Sequence, residues 1–554
     1  MRFGGTVTGE VGAPQIAGRE REPWHKRISL WLLAYRLALA ALVVVGLYFR
    51  SRRYFVDPLG LWMDEAMWGL RLFTRPLTQL EFRPIGYMAL TKLVVHIYSD
   101  ERTLRCLSYV AGVGSLFISI DLAKQLFKSR WVRLLCVAVI AYQPLLIDMT
   151  REFKPYAVEF FVHWGLVWLF VRWRARGSRA SLIALLTCAV LAFPLAYNVV
   201  FLLPGLFALL GLSLLRARAY HALTATVLAA VLALTLIAAI YVAALRGTTQ
   251  DGDGTAQFWG KKYDVFYLPT AGHAPLARAR WIAQKYADLA SLPGSHGNRR
   301  PQTADVVIER ARALGDVSEK AWLALHVLGL VALLRYRREQ LLLLGGPLLV
   351  SIAFNACHLW PFGAFRTNVF LLAYLVLIPL LGLDALLAAR SAFMRGVGVF
   401  GAGLLLVASL STGFEPHTRK HFFSTQTEMA SLVARMMTIR AQLPSEQRTG
   451  RTLAYFDNTT CTPFIFEARY NDTIKRAYGS LEQAIDIHCV STPSATENLL
   501  RRITGQNFFL VIGDDRRMSV YQRLLPRDAK VVVSESIRGV EDLYFARAYR
   551  GRAR

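Results

Sequence analysis

The chain has 554 residues, 54% of them hydrophobic, a mean hydropathy of +0.34 and a formal net charge of +27. Soluble domains sit lower in hydropathy, so a membrane protein is the first expectation. The positive charges fall in short clusters between apolar runs rather than along one soluble face, which sets nucleic-acid binding aside and points to membrane topology.

In chain order, residues 1–27 are polar, Gly-rich and basic and read as a cytoplasmic tail. No cleavable signal peptide is evident, because the first apolar run, 28–49, has the length of a retained membrane helix. Runs of about twenty apolar residues at ~1.5 Å rise cross a hydrocarbon core of roughly 30 Å. Further spans are expected near 104–127, 131–149, 154–172, 181–197, 198–215, 221–245, 320–335, 341–357, 368–388 and 396–412. That makes about eleven, with only Pro194 to Asn198 dividing the stretch 181–215.

With the N-terminus inside, every inside loop is short and basic: Lys124, Lys128, Arg130 and Arg133; Arg172, Arg174, Arg176 and Arg179; Arg216 and Arg218; Arg335, Arg337 and Arg338; Arg390 and Arg395. An odd span count leaves the loops 50–103 and 246–319 and the segment 413–554 outside. The fold class expected is an α-helical polytopic membrane protein, with a membrane domain over 28–412 and a small C-terminal α/β extramembrane domain over 413–554.

The apolar stretch Pro84 to Tyr98 is short for a span and reads as an amphipathic helix at the interface, as does Leu276 to Leu289. In the C-terminal segment, strands are expected over Thr452–Phe456, Phe508–Ile512, Lys530–Val533 and Asp542–Ala546. Cys106, Cys136, Cys188 and Cys357 lie in apolar runs and read as buried structural thiols. Cys461 and Cys489 are able to pair in an oxidising compartment.

The residues able to carry chemistry gather on the outer side. The first outer loop holds Asp64 and Glu65 among tryptophans. A carboxylate partly withdrawn from water is a stronger base, while the plainer reading is a helix cap favoured by the dipole. Arg83 precedes the interfacial helix, followed by Pro84-Ile85-Gly86-Tyr87, and can hold a lipid phosphate or simply snorkel. The next outer connection crowds Asp148, Arg151, Glu152, Lys154 and Glu159 around Pro155-Tyr156. Arg151 and Lys154 suit phosphate, and Glu152 suits a metal or a substrate hydroxyl, against the alternative of a salt-bridged turn. The last short outer loop brings His358 and Arg366 beside Pro361 and Gly363; the histidine alone is a weak signal.

Together these motifs resemble the GT-C glycosyltransferases, in particular the family 39 type that includes protein O-mannosyltransferases and lipid A aminoarabinose transferases. Asp64-Glu65, the basic-Pro motif Arg83-Pro84-Ile85-Gly86-Tyr87, Arg105-Cys106-Leu107-Ser108, the block Arg151-Glu152-Phe153-Lys154-Pro155-Tyr156 and Pro361 to Arg366 carry the resemblance, over roughly 28–412. It departs from the family at Arg83-Pro84-Ile85, where relatives often have Lys or His with two prolines.

The resemblance implies transfer of a sugar from a polyprenyl-phosphate donor to a hydroxyl of a lipid, glycan or protein acceptor, with inversion. Asp64 would be the general base and Glu65 its catalytic partner. The substrate-binding residues would be Arg83, Tyr87, Arg151, Glu152, Lys154, Tyr156, His358 and Arg366. A divalent cation held by Asp64, Glu65 or Glu152 stays an open alternative. Ala/Leu/Arg-rich usage suggests a bacterial inner membrane, with the site and the C-terminal domain facing the periplasm. The rival readings are a transporter or flippase of a lipid-linked or anionic solute, and a surface-polysaccharide polymerase or ligase. Both share cations in a membrane cavity, but a transporter more often shows repeat symmetry and broken helices at midplane.

Overall fold

The computed structural model describes residues 24–56, 61, 63–80, 83–246, 267–269, 275–291, 306–336, 338–363, 366–414, 429–445, 450–490, 507–512, 529–537 and 540–548. The expected cytoplasmic tail before Trp24 and most of the 246–319 loop lie outside the described residues. The membrane part is a bundle of helices: α1 (Trp24–Ser51), α2 (Met63–Thr74), α3 (Ile85–Ile97), α4 (Glu101–Leu126), α5 (Arg130–Tyr142), α6 (Pro144–Met149), α7 (Tyr156–Arg176), α8 (Arg179–Leu195), α9 (Leu203–Arg216) and α10 (Tyr220–Ile240). There follow α11 (Pro275–Ser291), α12 (Val306–Tyr336), α13 (Arg338–Ala356), α14 (Leu372–Leu387, entered by a 3-10 turn Arg366–Leu371) and α15 (Ala392–Phe414).

Every expected span falls on a helix or a helix pair. Among the described residues, five helices are long and apolar enough to cross a membrane: those at Leu30–Ser51, Glu101–Leu126, Tyr220–Leu245, Glu339–Ala356 and Thr367–Leu387. The expected 131–149 span is broken at Gln143, because Pro144 has no N–H to continue α5. The division near Pro194 is present too: α8 ends at Leu195 and a 3-10 turn, Tyr197–Phe201, leads into α9.

Burial sorts the helices. The Thr367–Leu387 span is 94% buried and forms the axis of the bundle, whereas the α1 and α10 spans are 17% buried and present apolar surface outward, as lipid-facing helices do. α12 crosses α14 backbone to backbone, since a Cβ on Gly382 would lie 2.6 Å from the Gly329 nitrogen. Small residues at such a crossing allow close packing without a side-chain interface. The short helix α3 buries Tyr87, Met88, Thr91 and Val95 and leaves Leu90, Leu93 and Ile97 exposed, the two-faced pattern of an interfacial helix.

The C-terminal part is a small α/β domain. It contains α16 (Met429–Gln442), β1 (Thr452–Asp457), α17 (Asn458–Tyr470), α18 (Asp472–Tyr478), α19 (Leu481–Ala484), β2 (Ile485–Val490), β3 (Asn507–Ile512), β4 (Ala529–Ile537) and β5 (Val540–Ala548). The sheet order is β2-β1-β3-β5-β4, with β1 parallel to both neighbours and β5 antiparallel to β3 and β4. The four strands expected from the sequence are present, and β2 is an additional edge strand. Cys461 of α17 and Cys489 of β2 are joined by a disulfide, with Cα atoms 5.5 Å apart. Leu432, Val433, Met436, Phe456, Phe464, Phe509 and Val511 form the domain's own core.

Candidate active site

The acidic pair opens α2, where the unsatisfied N–H groups and the positive end of the helix dipole favour negative side chains. The two carboxylates then part company. Glu65 is fully buried and accepts from Arg105 Nη2 at 2.6 Å and Nε at 3.2 Å, and also from the Phe153 backbone N–H. A fork-to-fork pair of this kind fixes both partners. Asp64 keeps a side-chain exposure of 24% and faces the Lys154 ammonium at 3.4 Å.

Lys154 is almost fully buried, and its Nζ lies 3.7 Å from the Trp68 ring centroid. The Arg83 guanidinium carbon lies 2.8 Å from the same centroid. Two cations therefore share one indole, an arrangement supported by the ring quadrupole. Trp68 follows Asp64 by one helical turn, which places its ring on the same side of α2. It is 2% exposed, and its Nε1–H has no hydrogen-bond partner among the described residues.

The surrounding groups hold these parts. Ser108 Oγ donates to the Lys154 carbonyl at 2.9 Å and lies 3.4 Å from the Tyr87 hydroxyl. Tyr87 is buried and its ring stacks on Phe153, with centroids 6.0 Å apart. Burial pushes its phenol well up, with Glu65 and Glu159 adding to the shift and the Ser108 hydrogen bond and Arg83 opposing it. The Ile85 N–H donates to the Tyr197 hydroxyl at 3.1 Å and so ties the start of α3 to the turn after α8.

Of the residues expected at the site, Asp64, Glu65, Arg83, Tyr87 and Lys154 come together. Glu152 is buried within electrostatic reach of Arg105. Arg151 instead bonds Asp148, three residues before it. Tyr156 packs into the main apolar core. His358 is exposed in a left-handed conformation (φ 56°) and stacks on Tyr267 with ring centroids 5.7 Å apart. It meets none of the Asp64 group among the described residues. Arg366 opens the turn before α14, and its side chain lies outside the described residues. That turn is built by Trp360 Nε1 donating to Asn368 Oδ1 (2.8 Å) and by Asn368 Nδ2 donating to the Pro361 and Gly363 carbonyls (3.0 and 2.9 Å).

Trp68 carries no assigned role in the sequence, and Arg105 stands out there only within the Arg105-Cys106-Leu107-Ser108 motif. The signal for Trp68 was its one-turn spacing from Asp64. Of the carboxylates that could hold a divalent cation, Glu65 is bonded to Arg105 and to the Phe153 N–H and Asp64 faces Lys154; no group of three metal-type ligands occurs among the described residues.

No family model matches the chain, and no curated protein matches it. Among solved structures it is similar to the lipid A aminoarabinose transferase ArnT from Cupriavidus metallidurans bound to undecaprenyl phosphate. The two are 12% identical over 93% of this chain and 98% of that one, with a TM-score of 0.48. The apo state of the same protein matches with the same identity and TM-score over 94% of this chain. The archaeal oligosaccharyltransferase AglB from Archaeoglobus fulgidus, in complex with an inhibitory peptide and a dolichol-phosphate, is 13% identical over 81% of this chain and 64% of its own, with a TM-score of 0.41. Both are GT-C fold enzymes, the fold that the sequence resembles.

Proposed function

We propose that this chain is a membrane glycosyltransferase that moves a sugar from a polyprenyl-phosphate donor to an acceptor hydroxyl on the extracytoplasmic side, with inversion at the anomeric carbon. The observation that carries the reading is the grouping around Trp68: a buried indole N–H without a partner among the described residues, flanked by Arg83 and Lys154, with the partly open carboxylate of Asp64 on the lysine's other side.

In this reading Asp64 accepts the acceptor's hydroxyl proton as the oxygen attacks the anomeric carbon. The bond from that carbon to the phosphate oxygen breaks, and its electron pair stays on the lipid phosphate. Arg83, Lys154 and the Trp68 N–H meet the charge that develops there. The leaving group is already a stable anion, so positioning and fixed charge supply most of the acceleration. Glu65 acts through Arg105 and the Phe153 backbone, holding α2 against α4 and the Lys154 loop, and is a positioning residue.

The test is transfer from radiolabelled undecaprenyl-phosphate sugars to a membrane extract by the purified protein in nanodiscs. Wild type transfers label and Asp64→Asn does not. Undiminished transfer by Asp64→Asn sinks the general-base role. Absence of transfer in wild type, with lipid moving across liposomes, favours a flippase.

A further inference from the structure

The C-terminal domain does not merely follow the membrane bundle in sequence. Its α17–α18 corner lies on the helix that carries the acidic pair and on the α3–α4 junction. The Asp472 N–H donates to the Ser99 carbonyl at 2.8 Å, and the Ser99 N–H donates to Asp472 Oδ2 at 2.9 Å. The Tyr98 and Thr473 hydroxyls are 2.8 Å apart. Tyr470 stacks on Phe73 of α2, with centroids 4.4 Å apart and planes 11° from parallel.

Two further contacts reach deeper. Phe466 is fully buried in the same apolar cluster as Leu61, Trp68, Tyr87 and Phe153, so this domain completes the core beneath the site. A Cβ on Gly69, one turn beyond Glu65, would lie 2.9 Å from the Phe466 ring. Only glycine lets the ring seat there without displacement. Beside it, Glu467 is fully buried, accepts from Asn471 Nδ2 and faces Glu101 and Arg105 of α4. Arg105 is the guanidinium that grips Glu65.

We infer that Phe466 and Glu467 are positioning residues through which the docked C-terminal domain sets the placement of the acidic pair, Phe466 by way of Gly69 and Glu467 by way of Glu101 and Arg105. The inference rests on the reading of Asp64 as the base. A base must sit within hydrogen-bond reach of its proton, and small misplacements are costly in rate.

The buried carboxyls add a pH dependence. Burial pushes the Glu467 carboxyl well above its usual range; the neighbouring Glu101 raises it further, while Asn471 and Arg105 oppose. Asp100 and Glu65 stand beyond, around Glu101. When the domain swings away, Glu467 is solvated and titrates as an ordinary carboxylic acid. The docked form therefore binds the proton more tightly. Docking is favoured below the solvated value and weakens as pH rises toward the raised one.

The experiment uses the full chain in nanodiscs and two readouts. The first is transfer from undecaprenyl-phosphate sugars. Gly69→Ala is expected to lower kcat about tenfold, with KM for the donor little changed, and Phe466→Leu in the same chain is expected to recover most of that loss. Wild-type kcat declines toward alkaline pH, and Glu467→Gln flattens that limb. The second readout is the distance between nitroxide labels on cysteines at Arg75 and Arg469, in a background where Cys188 and Cys357 are serine. Wild type gives a narrow distribution, Gly69→Ala a broad one, and the double variant a narrow one again. The inference is overturned by an unchanged label distribution in Gly69→Ala, by a double variant no better than Gly69→Ala alone, or by a wild-type pH profile in Glu467→Gln. If no variant transfers sugar yet the distances behave as stated, it is the transferase reading that fails.

Discussion

Lys154 stands between Asp64 and Trp68, its ammonium 3.4 Å from the carboxylate and 3.7 Å from the indole centroid. A buried lysine in that place aligns Asp64 in the ground state and meets phosphate charge as the leaving group departs. Lys154→Met removes both effects and is expected to lower kcat by about 10²-fold or more, the range for a fixed donor at a developing charge. Lys154→Arg should recover only part, because a planar guanidinium does not replace a point charge over a ring. Steady-state transfer kinetics measure both, and a fully active Lys154→Met removes the lysine from the mechanism.

Trp68 separates ring from N–H. Trp68→Phe keeps an aromatic face for Arg83 and Lys154 but deletes the buried donor that lacks a partner among the described residues. If that donor meets the phosphate, kcat/KM falls about tenfold, the worth of roughly 1.4 kcal/mol. Any loss of stability should come only from the void that the smaller ring leaves in the buried cluster, since the described structure offers the N–H no acceptor to lose. A loss of thermal stability with unchanged kcat/KM would make Trp68 a packing residue only.

The Glu65–Arg105 pair has side-chain exposures of 0% and 5%. Removing one member leaves the other charge buried without its match, at a cost of about 3–5 kcal/mol, whereas replacing both with apolar side chains can be close to neutral. Arg105→Met should therefore unfold at a clearly lower temperature than wild type, and Glu65→Leu with Arg105→Met should recover much of the loss. Transfer should stay low in both: Arg105→Met takes away the guanidinium that fixes Glu65, and in the double variant the link from α2 to the Phe153 backbone goes with Glu65 itself. Thermal melts followed by tryptophan fluorescence distinguish these outcomes, and equal melting of the single and double variants would count against the pairing.

The membrane helices were legible because a run of about twenty apolar residues has few alternatives in water. The acidic pair and its cations were legible as ionisable groups at the mouths of spans. Partnership was not. That Glu65 turns to Arg105 while Asp64 stays open follows from which side of α2 packs on α4, and nothing in Asp64-Glu65 distinguishes the two. Arg151 shows the converse: it reads as a phosphate ligand, yet Asp148 lies three residues before it and takes it. β2 alternates Ile485, Ile487 and Cys489 with Asp486 and His488, but it follows directly on α19 and is easily read as that helix's continuation. Phe466 carries no local signal, because its meaning lies in a glycine far away in the chain.

Arg50 accounts for a break that the apolar run of 131–149 concealed. Pro144 has no N–H for the Ile140 carbonyl, and the turn at Gln143 takes α6 off the α5 axis, so the carbonyls of Ile140 and Ala141 lose their helical donors. Arg50, 1% exposed, supplies them: Nη2 donates to Ile140 O at 2.6 Å and Nη1 to Ala141 O at 2.9 Å, with the Gly46 carbonyl at 3.1 Å. Its charge also faces the negative end of the α5 dipole. Arg50→Met strands two buried acceptors and should cost about 2–4 kcal/mol, taking ~1–2 for each. Pro144→Ala alone should matter less, since Arg50 already serves those carbonyls. In the Arg50→Met background, however, Pro144→Ala restores a backbone N–H that can donate to the Ile140 carbonyl, and the double variant should melt above Arg50→Met. Strictly additive losses in melting temperature would mean that the arginine and the proline do not act on the same carbonyl.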